Sequence, residues 1–177
     1  MMLALTMSLA LSAAPQLYVR VKPGDLDGSG SLISGDSINM NLSGDLNNSG
    51  TIASRKAMSI TADNIKNLGG TMRADQLGLT ARQDIDNIGG TLEALSSAAL
   101  DAGRDVNLSS TTQSSSVDLG TFKASQTSID RVAAIYVKNP GGTLNITAKN
   151  NINLTAAKVD SQGSARLHAG NTSTLKP

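Results

Sequence analysis

Asp25-x-Asp27-x-Ser29-Gly30-x-Leu32, followed by Asp36 at the twelfth position, places oxygen ligands, a turn glycine and a closing carboxylate at calcium-loop spacing. The next segment argues against that chemistry. Asp27 gives way to Asn47 and Asp36 to Lys56, and no helical pattern flanks the loop. The Gly-Gly-x-Gly-x-Asp calcium pattern is absent. His168 is the only histidine, set between Leu167 and Ala169, whose alternation turns it to solvent. A lone exposed histidine has no partner set for zinc or for a nucleophile relay. No serine sits in a Gly-x-Ser-x-Gly elbow. Asp84, Asp86, Asp101 and Asp105 are the carboxylates a polysaccharide-cleaving groove would draw on, yet they stand at recurring positions instead of gathering at one place. The expectation is therefore no metal site, no cofactor, no catalytic residue and no enzyme.

Those recurring positions are the stronger signal. Gly24-Asp25-Leu26-Asp27-Gly28-Ser29-Gly30 returns as Gly44-Asp45-Leu46-Asn47-Asn48-Ser49-Gly50, and looser copies begin at Asn64 and Asp84. A fixed period near twenty residues means one unit stacked on itself. Leu26, Leu32, Ile38, Met40 and Leu42 align with Leu46, Ile52, Met58, Ile60 and Ala62. Ile65, Met72, Leu77, Leu79 and Ala81 come next, then Ile85, Leu92, Ala98, Leu100 and Ala102. Within a unit, Met58-x-Ile60-x-Ala62 has the period of a strand, with Ser59, Thr61 and Asp63 facing water. No sustained helical stripe occurs. The arithmetic is that of an all-β chain, a right-handed parallel β-helix of about twenty-residue coils. Seven or eight coils would make a rod of roughly 35–40 Å. Asn48, Asn67 and Asn87 fall at one corner, either as a coil-to-coil amide ladder or as turn residues tolerant of left-handed backbone.

Composition agrees with a narrow, layered interior. Phe and Tyr amount to 2% and Trp is absent, so large aromatics fill no globular core. The net charge is +1 with no basic run, which excludes the electrostatic footprint of a nucleic-acid binder. There is no cysteine, hence no disulfide and no thiolate site. Met1–Ala14 has the apolar character of a signal peptide, but no basic residue precedes it and Leu3, Leu5, Met7, Leu9 and Leu11 alternate as a strand would. We expect residues 1–23 to form an irregular β segment, a hairpin broken at Pro15, with regular coils over 24–108.

A different stretch follows. Residues 109–116 are a polar low-complexity run. The frame Ala102-Gly103-Arg104-Asp105-Val106-Asn107-Leu108 returns at Ala148–Leu154 and again at Ala169–Leu175. The first interval is too long for one coil and implies either two swollen coils or one coil with an insertion of about 25 residues. Residues 109–142 are thus expected to be a polar insertion or atypical coil, its polar part protruding as a loop or hairpin. Val132–Val137 reads as a strand, Asn139-Pro140-Gly141-Gly142 as a turn, and coils resume over 143–177.

The Gly-Asp-Leu-x-x-Ser-Gly units, the turns Asn67–Thr71 and Asn87–Thr91, Ala102-Gly103-Arg104-Asp105 and the segment Asp130–Val137 together carry a resemblance. From about residue 16 to its end the chain resembles the haemagglutinin-repeat region of filamentous haemagglutinin-type exoproteins. These are adhesins, haemolysins and contact-dependent growth-inhibition effectors exported by two-partner secretion. The resemblance implies a secreted β-helix at the bacterial cell surface. Its implied partners are a receptor or glycan on a host or neighbouring cell and an outer-membrane two-partner secretion transporter, both reached through a larger parent protein. The chain is shorter than such proteins and shows neither a secretion domain nor a toxin module, so an internal structural and adhesive stalk segment is expected. A carbohydrate-active β-helix enzyme and a nonfunctional gene remnant are the alternatives.

Overall fold

The computed structural model describes residues 31–121 and 123–177. The first calcium-loop ligands, Leu26 and the alternating segment Met1–Ala14 lie outside the described residues, as does the expected hairpin over 1–23. Every regular element described is a strand. Three strands make a coil: β1 (Leu32–Gly35), β2 (Ile38–Asn41) and β3 (Leu46–Asn48). The second coil is β4 (Thr51–Ser54), β5 (Ala57–Ala62) and β6 (Ile65–Leu68). In the third and fourth, one long strand bends through two faces: β7 (Thr71–Ala81) with β8 (Ile85–Ile88), then β9 (Thr91–Ala102) with β10 (Val106–Ser109). A hairpin, β11 (Thr111–Asp118) and β12 (Lys123–Arg131), intervenes before the fifth coil of β13 (Ala134–Val137), β14 (Thr143–Ala148) and β15 (Asn151–Thr155). The sixth is β16 (Lys158–Ser161), β17 (Ser164–Ala169) and β18 (Thr172–Lys176).

All pairing between coils is parallel, in the order β1-β4-β7-β9-β13-β16 on one face and β3-β6-β8-β10-β15-β18 on another. The result is a right-handed parallel β-helix of about 21 residues per coil. The six levels of the described residues, at strand spacing, span about 24 Å between the first and last.

Alternation drives the assembly. In β5 the pattern Met58, Ile60, Ala62 is buried while Ser59 is exposed, and the same residues align above Leu77, Leu79 and Ala81. These continue to Ala98, Leu100 and Ala102, then to Leu144, Ile146 and Ala148. Leu46, Ile65, Ile85, Val106 and Ile152 form a further column in register on the third face. Each fully buried aliphatic side chain contributes about 1.5–3 kcal/mol, and stacking is what buries it, since one coil alone would leave both its edges wet.

One alignment shifts. Ile33, not Leu32, lies beside Ile52, and Leu32 pairs with Thr51. The step there is nineteen residues, while Ile38 to Met58 keeps twenty, so the turn between β1 and β2 absorbs the difference. A one-residue change in register reverses which side chain faces the interior.

The asparagines do form a ladder, and it is internal. Asn48 Nδ2 donates to Asn67 Oδ1 at 2.8 Å, and Asn67 Nδ2 donates to Asn87 Oδ1 at 2.8 Å. Asn67 and Asn87 are also tied to the carbonyls of Gly70 and Gly90, both at 2.9 Å. With these bonds made, amides that are 1% and 0% exposed cost little in desolvation. The next residue in the column is Leu108, followed by Leu154, so the polar column turns apolar within one level. At the sixth level, inward-facing Leu167 and Leu175 are 38% and 77% exposed, with a neighbouring level on one side only among the described residues.

The long interval resolves as one coil. Asn107 to Asn153 spans 46 residues, against 21 from Asp86 to Asn107. Ser109 aligns with Ile88 and Ala134 with Thr91, so Ser110 and Ala133 occupy the places of Gly89 and Gly90, and residues 111–132 are extra. Three more residues enter at the next corner, where Val137 to Thr143 replaces Ala94 to Ser97. Gly141, at φ +78°, turns that second insertion.

Candidate functional site

The corner between the third face and the next coil is where the stack departs from uniformity. At this corner Gly69 and Gly89 adopt φ +71° and +60°, which a Cβ resists. A Cβ on Gly70 or Gly90 would strike the ladder amides, so the ladder requires glycine at both places. Ala156 holds the equivalent place one level beyond the insertion, at φ +48°, the only non-glycine residue with positive φ among those described.

Ser110 closes the corner around the insertion. Its hydroxyl donates to the Ala156 carbonyl at 2.6 Å and accepts from the Ala133 N–H at 3.0 Å, and its own N–H donates to Thr155 O at 3.1 Å. The two ends of the insertion are thereby held at the separation of an ordinary corner. Above them, Thr111 Oγ1 accepts from the Arg131 N–H at 3.1 Å and donates to Asp130 Oδ2 at 3.3 Å.

From this root the hairpin leaves the rod. Its strands pair antiparallel from Thr111↔Arg131 to Asp118↔Lys123, with an irregularity next to Thr111, and β12 is exposed along its whole length. At the tip Lys123 Nζ meets Asp118 Oδ2 at 2.7 Å, and the Gly120 N–H donates to Asp118 Oδ1 at 3.0 Å. Those two donors, lysine first, hold the Asp118 carboxyl below the ordinary carboxylate range. Ser114 and Thr127 hydroxyls bond across the strands at 2.9 Å.

A groove of about 320 Å³ lies where the root meets the coil corner, lined by Leu68, Gly69, Ile88, Thr111, Asp130 and Arg131. Its floor is the stacked pair Leu68 and Ile88, 44% and 38% exposed. Arg131 lies across it, its guanidinium donating to Gly69 O at 3.4 Å.

Three of the four carboxylates that a cleaving groove would draw on, Asp84, Asp86 and Asp105, bond to the neighbouring coil. Asp84 accepts the Arg104 guanidinium through both oxygens and the Asp105 N–H at 3.2 Å. Arg104 first, then that N–H, outweigh partial burial and lower its pKa. Asp105 Oδ1 receives the Asn151 N–H at 2.9 Å and its Nδ2 at 3.0 Å. Asp86 accepts from Asn107, which accepts in turn from Asn153. Asp45, whose pKa is lowered chiefly by Lys66 and then by Asn64, begins the same pattern on the third face of the first described coil. These outer columns join coil to coil. Asp101 is exposed on the second face, beside Thr80 and Thr147, and apart from that row. His168 is exposed on β17 beside Thr147. Asp36 forms an ion pair with Lys56 at 2.9 Å. Among the described residues no three His, Asp or Glu side chains stand together as a metal set.

Reading residue types did not single out Ser110, Arg131 or Leu68 with Ile88 as a site. The available signal was spacing: Ser109-Ser110 and Ala133-Ala134 fit the Ile88–Thr91 corner once 111–132 are set aside.

The profile described as haemagglutinin repeat matches residues 8–89, 79–156 and 135–175 of the chain. Neither the curated proteins nor the solved structures give a match to it.

Proposed function

This chain belongs to the haemagglutinin-repeat family, and from that premise we propose that it is a non-catalytic stalk segment of a secreted, adhesin-like exoprotein that holds a hairpin out from a stiff rod. One observation carries the reading. The levels on either side of the insertion pair directly, β10 with β15 and β9 with β14, so the hairpin is displayed without interrupting the stack. A rigid scaffold with a projecting loop is how binding residues are commonly presented. The engagement of Asp84 through both oxygens, and of Asp86 and Asp105 through Oδ1, with the neighbouring coil supports the absence of catalysis.

The setting follows from the family. The parent protein would reach the bacterial surface through an outer-membrane transporter and meet a receptor or glycan on another cell. A chain without cysteines that can form coil upon coil suits emergence in the unfolded state. The test is surface display of the chain on a non-adherent bacterium, with and without residues 111–132. Adhesion to epithelial or bacterial cells that falls on deletion supports the stalk reading. Cleavage of acidic polysaccharides by the purified chain, abolished by Asp84→Asn with Asp86→Asn, overturns it in favour of an enzyme.

A further inference from the structure

Every strand of β4 to β15 in the stack has a neighbour on both sides, whereas β11 and β12 pair only with each other among the described residues. The hairpin therefore carries two rows of unpaired backbone donors and acceptors. Proteins normally blunt such edges with proline, interior charge, bulges or short length. Here the charges stand at the ends, at Asp118, Lys123, Asp130 and Arg131, and the middles, residues 112–117 and 124–129, have neither charge nor proline. A two-stranded hairpin is also only marginally stable in water and gains from a third strand.

We propose that this hairpin is a docking edge for an extended peptide, which adds to it as a third strand and sets an aliphatic side chain into the groove at its root. The deduction rests on the display reading for its setting, and it names the class of partner. Main-chain bonding gives such a complex its affinity and a side-chain pocket gives it selectivity. The groove supplies the pocket: Leu68 and Ile88 offer aliphatic contact, and Arg131 brings a guanidinium that forms no ion pair among the described residues. The favoured segment is thus uncharged and β-branched along its length, with a Leu-Asp or Ile-Asp pair where it reaches the root. The carboxylate would meet Arg131 as the aliphatic group covers Leu68 and Ile88.

The probe is a fluorescein-labelled peptide, Thr-Val-Thr-Val-Thr-Leu-Asp, titrated with the full chain and followed by anisotropy. Saturable binding is expected. Ser125→Lys with Ser128→Lys charges the exposed middle of β12 and should weaken it about tenfold. Arg131→Gln should weaken it about fivefold for this peptide and leave a Leu-Asn version unaffected. Joining Ser110 to Ala133, which removes 111–132, should abolish binding while far-UV circular dichroism and the urea midpoint stay in place. That last pair of readings separates loss of the site from loss of the fold. Binding unchanged by the deletion, or no binding by the intact chain, overturns the assignment. Dimerisation that depends on 111–132, seen by sedimentation with peptide excluded, overturns it in favour of a second copy as the occupant. Either failure leaves the stalk reading standing if deletion still lowers cell adhesion.

Discussion

Ile60 and Ile129 sit in two kinds of β structure within one chain. Ile60 is 0% exposed, between Met40 and Leu79 of the neighbouring coils. Ile129 is 54% exposed on a strand with a single neighbour. Both strands satisfy local β preference, yet only the first buries a continuous row of side chains. The stack gains stability from every level added, and the hairpin is held by its root and by cross-strand bonds such as Ser114–Thr127. Substitutions should therefore divide sharply by region.

The largest expected effect is in the stack. Leu100→Ala opens a cavity between levels and should cost about 3 kcal/mol, whereas Ser115→Ala in the hairpin should cost under about 0.5 kcal/mol. Urea unfolding of both variants, followed by hydrogen exchange of β7 and β14, measures the contrast. Equal effects would remove the distinction. Asn67→Ala should come next, at about 2 kcal/mol, because it strands the Asn48 donor and the Asn87 acceptor in a buried row. Asn67→Leu should recover part of that loss if the column accepts leucine here as it does at Leu108.

Acid should act on the outer columns first. Arg104 holds the folded-state pKa of Asp84 below its ordinary value near 3.8, so the stabilisation is present above that pH and is lost as pH falls through the lowered value. With Arg104 about half exposed, the contribution is on the order of 0.5–1 kcal/mol after allowing for solvent. Asp84→Asn should flatten the decline in urea midpoint below about pH 4, measured by fluorescence-free far-UV dichroism. Ala156→Gly should raise stability by about 0.5 kcal/mol by relieving positive φ, net of the entropy glycine adds to the unfolded chain. Deletion of 111–132 should have the smallest effect, within about 0.5 kcal/mol, since the corner it leaves matches Ile88–Thr91.

What the sequence made legible follows from the same contrast. The inward columns were readable because period two within a strand and period twenty between coils reinforce each other at Met58, Leu77 and Ala98. The Leu32–Ile33 step was not, because adjacent aliphatic residues satisfy either register and the turn alone decides between them. Asn67 and Asn87 were compatible with a ladder or with a tolerant turn, since both want a short amide beside glycine; the 2.8 Å bonds distinguish them. The 46-residue interval admits two divisions until Ser109-Ser110 and Ala133-Ala134 are matched to the Ile88–Thr91 corner, and the match is faint because Ser110 and Ala133 stand where that corner has glycines. Ala156 is hidden for a related reason: nothing in its identity announces the left-handed backbone that its neighbours reserve for glycine.

The orientation of the inter-coil bonds has a mechanical consequence. They run along the rod axis, so a pull on the two chain ends loads them one row at a time, like a zip, and not all together in shear. Each coil that peels away would release about 21 residues, or about 70 Å of extended chain, while the coils behind it remain wound. A tether built this way would lengthen in steps under load, acting as a shock absorber between whatever is fixed at its two ends.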